Sequence, residues 1–393
     1  MGSTKFPAPP LGGLQPSATL VITSEAKAME AAGENVVNLS AGEPDFDTPA
    51  HISKAAIEAL KEGDTKYTPV AGRPELREAV AEKLNRENGI ACGAENIVAA
   101  PGAKYSVFTA IAVLCGQGDK VIIPRPFWLS YAAMVKAAGA EPVFVDTKAE
   151  NNFCMTRKDL EAALCSDVKA LILNTPSNPT GGVYKRQRLE ALAEAAVKAD
   201  IMVISDEIYE KLVYDSNLSH TSIASLSEEA AAHTITVNGF SKAYSMTGWR
   251  LGYMAAPDWV VSRAKALQSH TTSNPVSFAQ AGAVVALNSS QDCVEHMRQA
   301  FAERRDRIYQ RLREIEGLCV FKPRGAFYIF PDISAFGVDA MTFARRLLNE
   351  EKLAVIPGTP FGAPEHIRLS YACSMDVIEE GCDRLARFCG KLG

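Results

Sequence analysis

Six short apolar runs, each closed by turn residues, dictate what this chain can fold into. They cover residues 121–123, 143–145, 171–173, 201–204, 234–237 and 251–255. Each is too short for a helix and most are rich in Val and Ile, the pattern of buried strands. Between them lie stretches with helical spacing, such as 132–138, 160–164 and 188–199. Strands alternating with helices predict an α/β chain with a central, mostly parallel sheet covered on both faces, a three-layer arrangement. The tail reads differently. A charged helix over 294–315 leads to a strand-like AFYIF at 326–330, a helix near 342–350 and a last helix from Asp376. That pattern predicts a smaller α+β unit. Residues 1–20 read as a Pro- and Gly-rich extended arm, followed by a helix over 24–32 that ends near Gly33. The expected division is therefore 1–48 for the arm and part of the small domain, 49–290 for the large domain, and 291–393 for the C-terminal small domain.

The 393 residues suffice for about two domains at roughly 100–200 residues each. Acidic residues exceed basic ones by 46 to 41, a net charge of -5. That balance argues against nucleic-acid binding, which needs concentrated basic surface. The apolar stretch 107–115 is far short of the roughly 20 residues that span a bilayer. The start of the chain carries one Lys and then Pro and Gly, without the apolar core of a signal peptide. Nine cysteines are spread without paired spacing, which reads as reduced thiols of a cytoplasmic protein with no metal centre.

Open parallel sheets bind ligands at the carboxyl ends of their strands, so the residues after each run carry the search. The run ending at Ile204 continues into Ser205, Asp206, Glu207, Ile208 and Tyr209. The run ending at Val237 continues NGFSKAYSMTGWRLGY, placing Ser241, Lys242 and Arg250 past another strand end. The run ending at Leu173 delivers Asn174 and Asn178 into a turn bounded by Pro176 and Pro179. Ahead of the first expected sheet strand, PGAKYSVF offers Gly102 and a helix start whose free N–H groups suit an anion.

Taken singly, each of these has a plainer explanation: a helix cap, a solvated charge, turn chemistry. Their joint placement matches the needs of an aldehyde cofactor with a pyridine ring and a phosphate. Such a group needs an amine for a Schiff base and an acid beside the ring nitrogen. It also needs donors to the ring oxygen, an aromatic face and a phosphate cup. Lys242, Asp206, Tyr209 with Asn178, Trp128, and residues 102–104 with Ser241 and Arg250 supply one of each.

These stretches resemble the fold type I, class I aminotransferases that use pyridoxal 5'-phosphate. The likeness is greatest to the branch of bacterial-type aspartate and aspartate/prephenate aminotransferases. It runs from PSATLVI through AGEPDFDTP, TKYTPVAGRPELREA, PFWLSY, NTPSNPTGGVY, SDEIYE and the lysine motif to RLSYA. The resemblance implies that Lys242 is the Schiff-base lysine and that Asp206 partners the pyridine nitrogen. Tyr209 and Asn178 would bond the ring oxygen, and Trp128 would stack on the ring. The phosphate would lie against Gly102, Ala103 and Lys104 with Ser241 and Arg250. Tyr67 resembles a tyrosine that reaches the phosphate from a neighbouring subunit, which implies a homodimer with shared active sites. Arg368 resembles the arginine that grips the substrate α-carboxylate, helped by Asn178, Trp128 and Gly42. Lys104 and Thr19 match a pair linked to the distal carboxylate and to prephenate use.

The reaction implied is ping-pong transfer of an amino group between small amino acids and 2-oxo acids: aspartate, glutamate or prephenate with 2-oxoglutarate or oxaloacetate. To act as a base near neutrality, Lys242 must fall about three units from about 10.4, roughly 4 kcal/mol of bias. Burial and Arg250 are the expected sources. An aromatic aminotransferase and a lyase on the same fold remain as alternatives, since both keep the same motifs. A non-catalytic regulator would need a basic DNA-binding module, and none fits ahead of Pro16. Other residues draw plainer readings. Arg73, Arg77 and Glu78 decorate a helix, and His51, His220 and His296 have no partner motif. Trp249 and Tyr253 belong to the core. Arg304, Arg305 and Arg307 form a charged face, solvated or paired with Glu303 and Asp306.

Overall fold

The computed structural model describes residues 18–392, with side chains from Ile22 onward. Each of the six apolar runs forms a strand of one seven-stranded sheet, with ends that differ by up to three residues. Its strands are β1 (Ile97–Ala100), β2 (Lys120–Arg125), β3 (Glu141–Asp146), β4 (Val168–Asn174), β5 (Met202–Asp206), β6 (Thr234–Gly239) and β7 (Gly252–Ala255). Their spatial order is β1-β7-β6-β5-β4-β2-β3. All neighbouring pairs are parallel except those made by β7, which runs opposite to both β1 and β6.

Strand β1 was not anticipated. Its sequence, IVAA, is half alanine, and only pairing with β7 and complete burial make it a strand. Gly102 therefore follows a sheet strand; it does not precede the first one.

Burial on both faces explains why the central runs read as continuously apolar. In β4, Ile172 points to one face, where Ile204 and Val237 meet Val107 and Ile111 of the helix Ala103–Leu114. Its neighbours Leu171 and Leu173 point to the other face and pack with Leu189 and Leu192 of the helix Arg186–Lys198. Period-two alternation thus serves both cores at once.

The remaining strands are short. Val37–Asn38 pairs in parallel with Leu353–Ala354. Tyr328–Ile329, Ile367–Ser370 and Ile356–Pro357 form an antiparallel three-stranded sheet. Phe301, Phe343, Leu369 and Phe388 fill a core shared by the helices Asp292–Arg313, Ala340–Glu351 and Met375–Gly390.

The first helix spans Ala18–Ala31, so residues 18–23 are helical where an extended arm or its end was expected. Ile22 and Ala26, four residues apart on one face, dock it onto Phe330, Phe361 and Ala354. The arginine cluster also departs from expectation. Arg305 is 4% exposed, donates to Asp215 and the Pro323 carbonyl, and forms an ion pair with Asp306. Arg304 grips Asp45 with both nitrogens, and Arg307 pairs with Glu379. The pairing with Asp306, on the same helix, is the one expected. Asp45, Asp215, Pro323 and Glu379 lie outside the helix, so helical spacing had no means of revealing them. Trp249 donates to Thr48 and Tyr253 is buried in the core. No helix among the described residues is long and apolar enough to cross a membrane.

Candidate active site

The carboxyl ends of β4, β5 and β6 open into a cleft of about 610 Å³. Register sets the first two contributors, because Asn174 and Asp206 are direct neighbours at the ends of β4 and β5. Lys242 follows β6 by three residues. Both Lys242 and Asp206 line this one cleft, together with Trp128, Asn178, Tyr209 and Arg368. Ala103, Lys104, Ser241, Arg250 and the segment around Gly42 also border it. Two of the residues expected at the site do not line it. Tyr67 is 91% exposed on the surface. Gly102 stands just behind the wall, against Arg250. The side chain of Thr19 lies outside the described residues.

Asp206 is 4% exposed. Its carboxylate accepts from the Tyr131 hydroxyl at 2.6 Å and from the Ile208 N–H at 3.3 Å. Burial pushes this carboxyl up to about 6, against the pull of the Tyr131 and Ile208 donors. Among the described residues it forms no ion pair. A buried acid without an ion-pair partner is raised in this way, even with Lys242 in the same cleft drawing it down, and a protonated ring nitrogen would return it to the ionised form.

Lys242 donates to the Gly42 carbonyl. Burial is the main force that lowers its ammonium to about 8; Arg368, Arg250 and Lys104 act in the same direction and Glu43 opposes them. The expected causes are present, but Arg368 contributes as well, and the acid at Glu43 acts against them.

The opposite wall is cationic. The helix Ala103–Leu114 begins behind Gly102, and the first N–H groups of a helix have no intrahelical partner. Gly102 has a φ of +86°, and a Cβ there would lie 2.7 Å from Arg250 Nη2, so glycine is required for the guanidinium to approach. Arg250 itself holds a φ of +54° and donates to the Thr247 carbonyl at 2.8 Å. Lys104 sits 5.0 Å from the Trp128 ring centroid, its ammonium lowered by burial and by Arg250. Helix N–H groups, a guanidinium and an ammonium make a cup for a dianion.

Arg368 is 4% exposed. It donates to Asn178 Oδ1 at 3.1 Å and to the Ser40 carbonyl at 3.0 Å, and its Nε has no partner. Its guanidinium lies 4.3 Å from the centroid of the Tyr328 ring. Among the described residues no carboxylate pairs with it. Tyr328 also places its hydroxyl 3.0 Å from that of Tyr209.

Tyr131 and Tyr328 were not singled out from the sequence. The first stands in PFWLSY, three residues after Trp128, and a one-turn spacing on a helix start was the available signal. The second stands in the strand-like AFYIF, where apolar patterning concealed a polar role.

The model of the family described as "Aminotransferase class I and II" matches residues 34–385. The chain belongs to this family of aminotransferases. An aspartate aminotransferase of Bacillus subtilis (strain 168) is 45% identical over 386 residues, 97% of this chain and 98% of that protein. A probable aspartate/prephenate aminotransferase of Aquifex aeolicus (strain VF5) is 45% identical over 380 residues, 95% and 96% of the two chains. The aspartate aminotransferase of Thermus thermophilus with maleate superposes with a TM-score of 0.94 at 41% identity, covering 98% of this chain and all of that one (100%).

The cofactor of such an aminotransferase is pyridoxal 5'-phosphate, and the donor set fits it. A neutralisable amine, a buried carboxyl awaiting a cation and an anion cup surround one cavity, each with a counterpart on the cofactor. One consequence is measurable. The neutral amine is the nucleophile, so capture of added pyridoxal phosphate by the apo-protein should accelerate with pH and level off above about 8. Stopped-flow absorbance over roughly pH 6 to 10 checks this; an inflection at the ordinary lysine value of about 10.4 would contradict it.

Proposed function

We propose that this aminotransferase moves the amino group of aspartate, and of glutamate, to 2-oxoglutarate or oxaloacetate, with prephenate as a further acceptor. The observation that carries the reading is Arg368, a buried guanidinium without a carboxylate partner among the described residues, in the cleft of Lys242 and Asp206. A buried unpaired charge is expensive, and a planar fork matches the α-carboxylate of an amino acid. The names of the relatives support the choice of dicarboxylic substrates.

When bound, pyridoxal phosphate supplies an electrophilic aldehyde and an electron sink. Lys242 Nζ would hold it covalently, Asp206 would sit at its ring nitrogen, and Tyr209 with Asn178 at its ring oxygen. Trp128 would cover the ring. Ala103, Lys104, Ser241 and Arg250 would hold the phosphate, with Gly102 behind them leaving room for Arg250. Arg368 would orient the substrate so that its α-proton faces Lys242 Nζ, which would take up that proton and deliver it to the cofactor. Gly42 and Trp128 close the substrate side, and Lys104 with Thr19 would meet the distal carboxylate.

The proposal includes a homodimer in which Tyr67, exposed in the single chain, reaches the neighbouring site. It also includes two lobes, 49–290 and 291–393, the latter joined by part of 1–48. A cytoplasmic setting is supported by nine free thiols.

The test is a panel of amino acids and keto acids with purified enzyme, followed by half-reaction spectra. Aspartate and glutamate should aminate the cofactor, and keto-acid release should depend on an acceptor. Faster reaction with aromatic amino acids, or product formed without an acceptor, would overturn the reading. Arg368→Leu should lower kcat/KM for aspartate about 100- to 10,000-fold, since two charge-assisted hydrogen bonds disappear.

A further inference from the structure

A second polar cluster lies behind the strand end that presents Asp206, and the reaction described so far does not use it. Successive side chains of an extended segment point to opposite faces, so the residue after Asp206 turns away from the cleft. That residue is Glu207, which is 0% exposed. Its N–H still bonds the Val237 carbonyl at 2.9 Å, continuing the ladder. Its carboxylate meets Ser205 Oγ at 2.8 Å, Ser222 Oγ at 2.5 Å and His220 Nε2 at 2.9 Å. Asn88 joins the group through Ser222 and Glu210, and the buried Lys83 pairs with Glu210. Glu207, Glu210 and His220 bring ligand atoms within 4.8 Å of one another. The ammonium of Lys83 already supplies a cation there, so the cluster is not built for a metal.

Apolar side chains of similar volume would hold a strand end at least as well as this network does. What they would not fix is rotation of the backbone about its own axis. Glu207 sits one residue after Asp206 and two before Tyr209. The Asp206 carboxylate is itself tied to Ile208 N–H across the Glu207 peptide. A twist at Glu207 would therefore swing the carboxylate and the phenol together.

We propose that Glu207, gripped by His220 and Ser222 on the rear face, is a positioning residue that locks the segment between Asp206 and Tyr209, so that both meet the cofactor ring from fixed directions. This rests on the assignment of Asp206 and Tyr209 to the ring.

The experiment compares Glu207→Leu, Glu207→Gln and His220→Gln as holoenzymes. Readouts are kcat, KM for aspartate, the midpoint of the cofactor absorbance titrated with pH, the dissociation constant of pyridoxal phosphate, and Tm. Glu207→Leu should lower kcat about tenfold or more with KM nearly unchanged, weaken cofactor binding, and move the absorbance midpoint by about half a pH unit. Glu207→Gln, which keeps an acceptor for Ser222, should restore most of that loss. His220→Gln should move the same readouts in the same direction by less, and it stands in if Glu207→Leu does not fold. A fall in Tm with kcat, midpoint and cofactor affinity unchanged would overturn the proposal. Asp206→Ala run in parallel separates the two failures: full activity there sinks the assignment of Asp206, whereas an inactive Asp206→Ala beside unchanged Glu207 variants sinks only this inference.

Discussion

Lys242→Ala should abolish turnover, lowering kcat by more than about 10,000-fold, and should remove the visible absorbance of the covalently held cofactor. Two functions leave together, covalent attachment and proton transfer at the α-carbon, and a positioned acid–base group alone is worth about 100- to 10,000-fold. No neighbour among the described residues replaces it. Lys104 lies at the cationic wall against Trp128, and Arg250 and Arg368 are guanidiniums, which offer no amine for a Schiff base. The fold should persist, because burial already disfavours the ammonium at this position and alanine relieves that penalty. Pyridoxal phosphate should still bind, without covalent attachment. The measurements are an absorbance spectrum, coupled keto-acid production and Tm; a variant retaining both colour and turnover would defeat the assignment of Lys242.

Asp206→Ala should lower the single-turnover rate with aspartate by about 100- to 1,000-fold, the usual effect of removing a preorganised electrostatic partner. The carboxylate is the group that would keep the ring nitrogen protonated, and no second acid is placed to do so: Glu207 points to the rear network and Glu43 bonds Thr247. Alanine also strands the Tyr131 hydroxyl, which costs about 1–3 kcal/mol when buried. Asp206→Asn separates the two effects, since it keeps the shape and a partner for Tyr131 while losing the charge. It should be nearly as slow as alanine. An Asn variant with near-normal single-turnover kinetics would show that the charge does not matter.

The same residue predicts an opposite effect on stability without cofactor. Its folded value of about 6 lies above the unfolded value of about 3.9, so the folded state binds more protons between those limits. That contribution to stability is present in acid and is lost as pH rises through about 4 to 6. At neutral pH Asp206→Asn should therefore raise the Tm of the apo-protein while weakening retention of the cofactor, a pairing that scanning calorimetry of both forms would detect.

Strand ends were readable from sequence because four of the sheet's strands, β2, β4, β5 and β6, carry buried runs rich in Val, Ile and Leu closed by turns. Strand β1 escaped because alanine carries no strand signal of its own. Pairing with β7, more than 150 residues later in the chain, makes it a strand. The charged helix over 292–313 was legible as a helix, since charge repeats with its period. The destinations of its arginines were not, because Asp45, Asp215 and Glu379 are distant in sequence. His220 shows the same limit: a lone histidine in LSHTS has no local partner, and Glu207 meets it only through the fold.

The amino-acid order alone determined the alternation of strands and helices, the residues delivered at each strand end, and the glycine that precedes the anion-suited helix start. Those properties depend on neighbours in the chain and on backbone geometry. Only the tertiary structure decided that Gly42 meets Lys242 from 200 residues away, that Asn178 meets Arg368 from 190, and that Tyr131 and Tyr328 complete the cleft. It also decided how far Lys242 and Asp206 depart from their ordinary titration. Exclusion of water and the sum of distant charges set those shifts, and neither quantity exists until the chain has closed around the cleft.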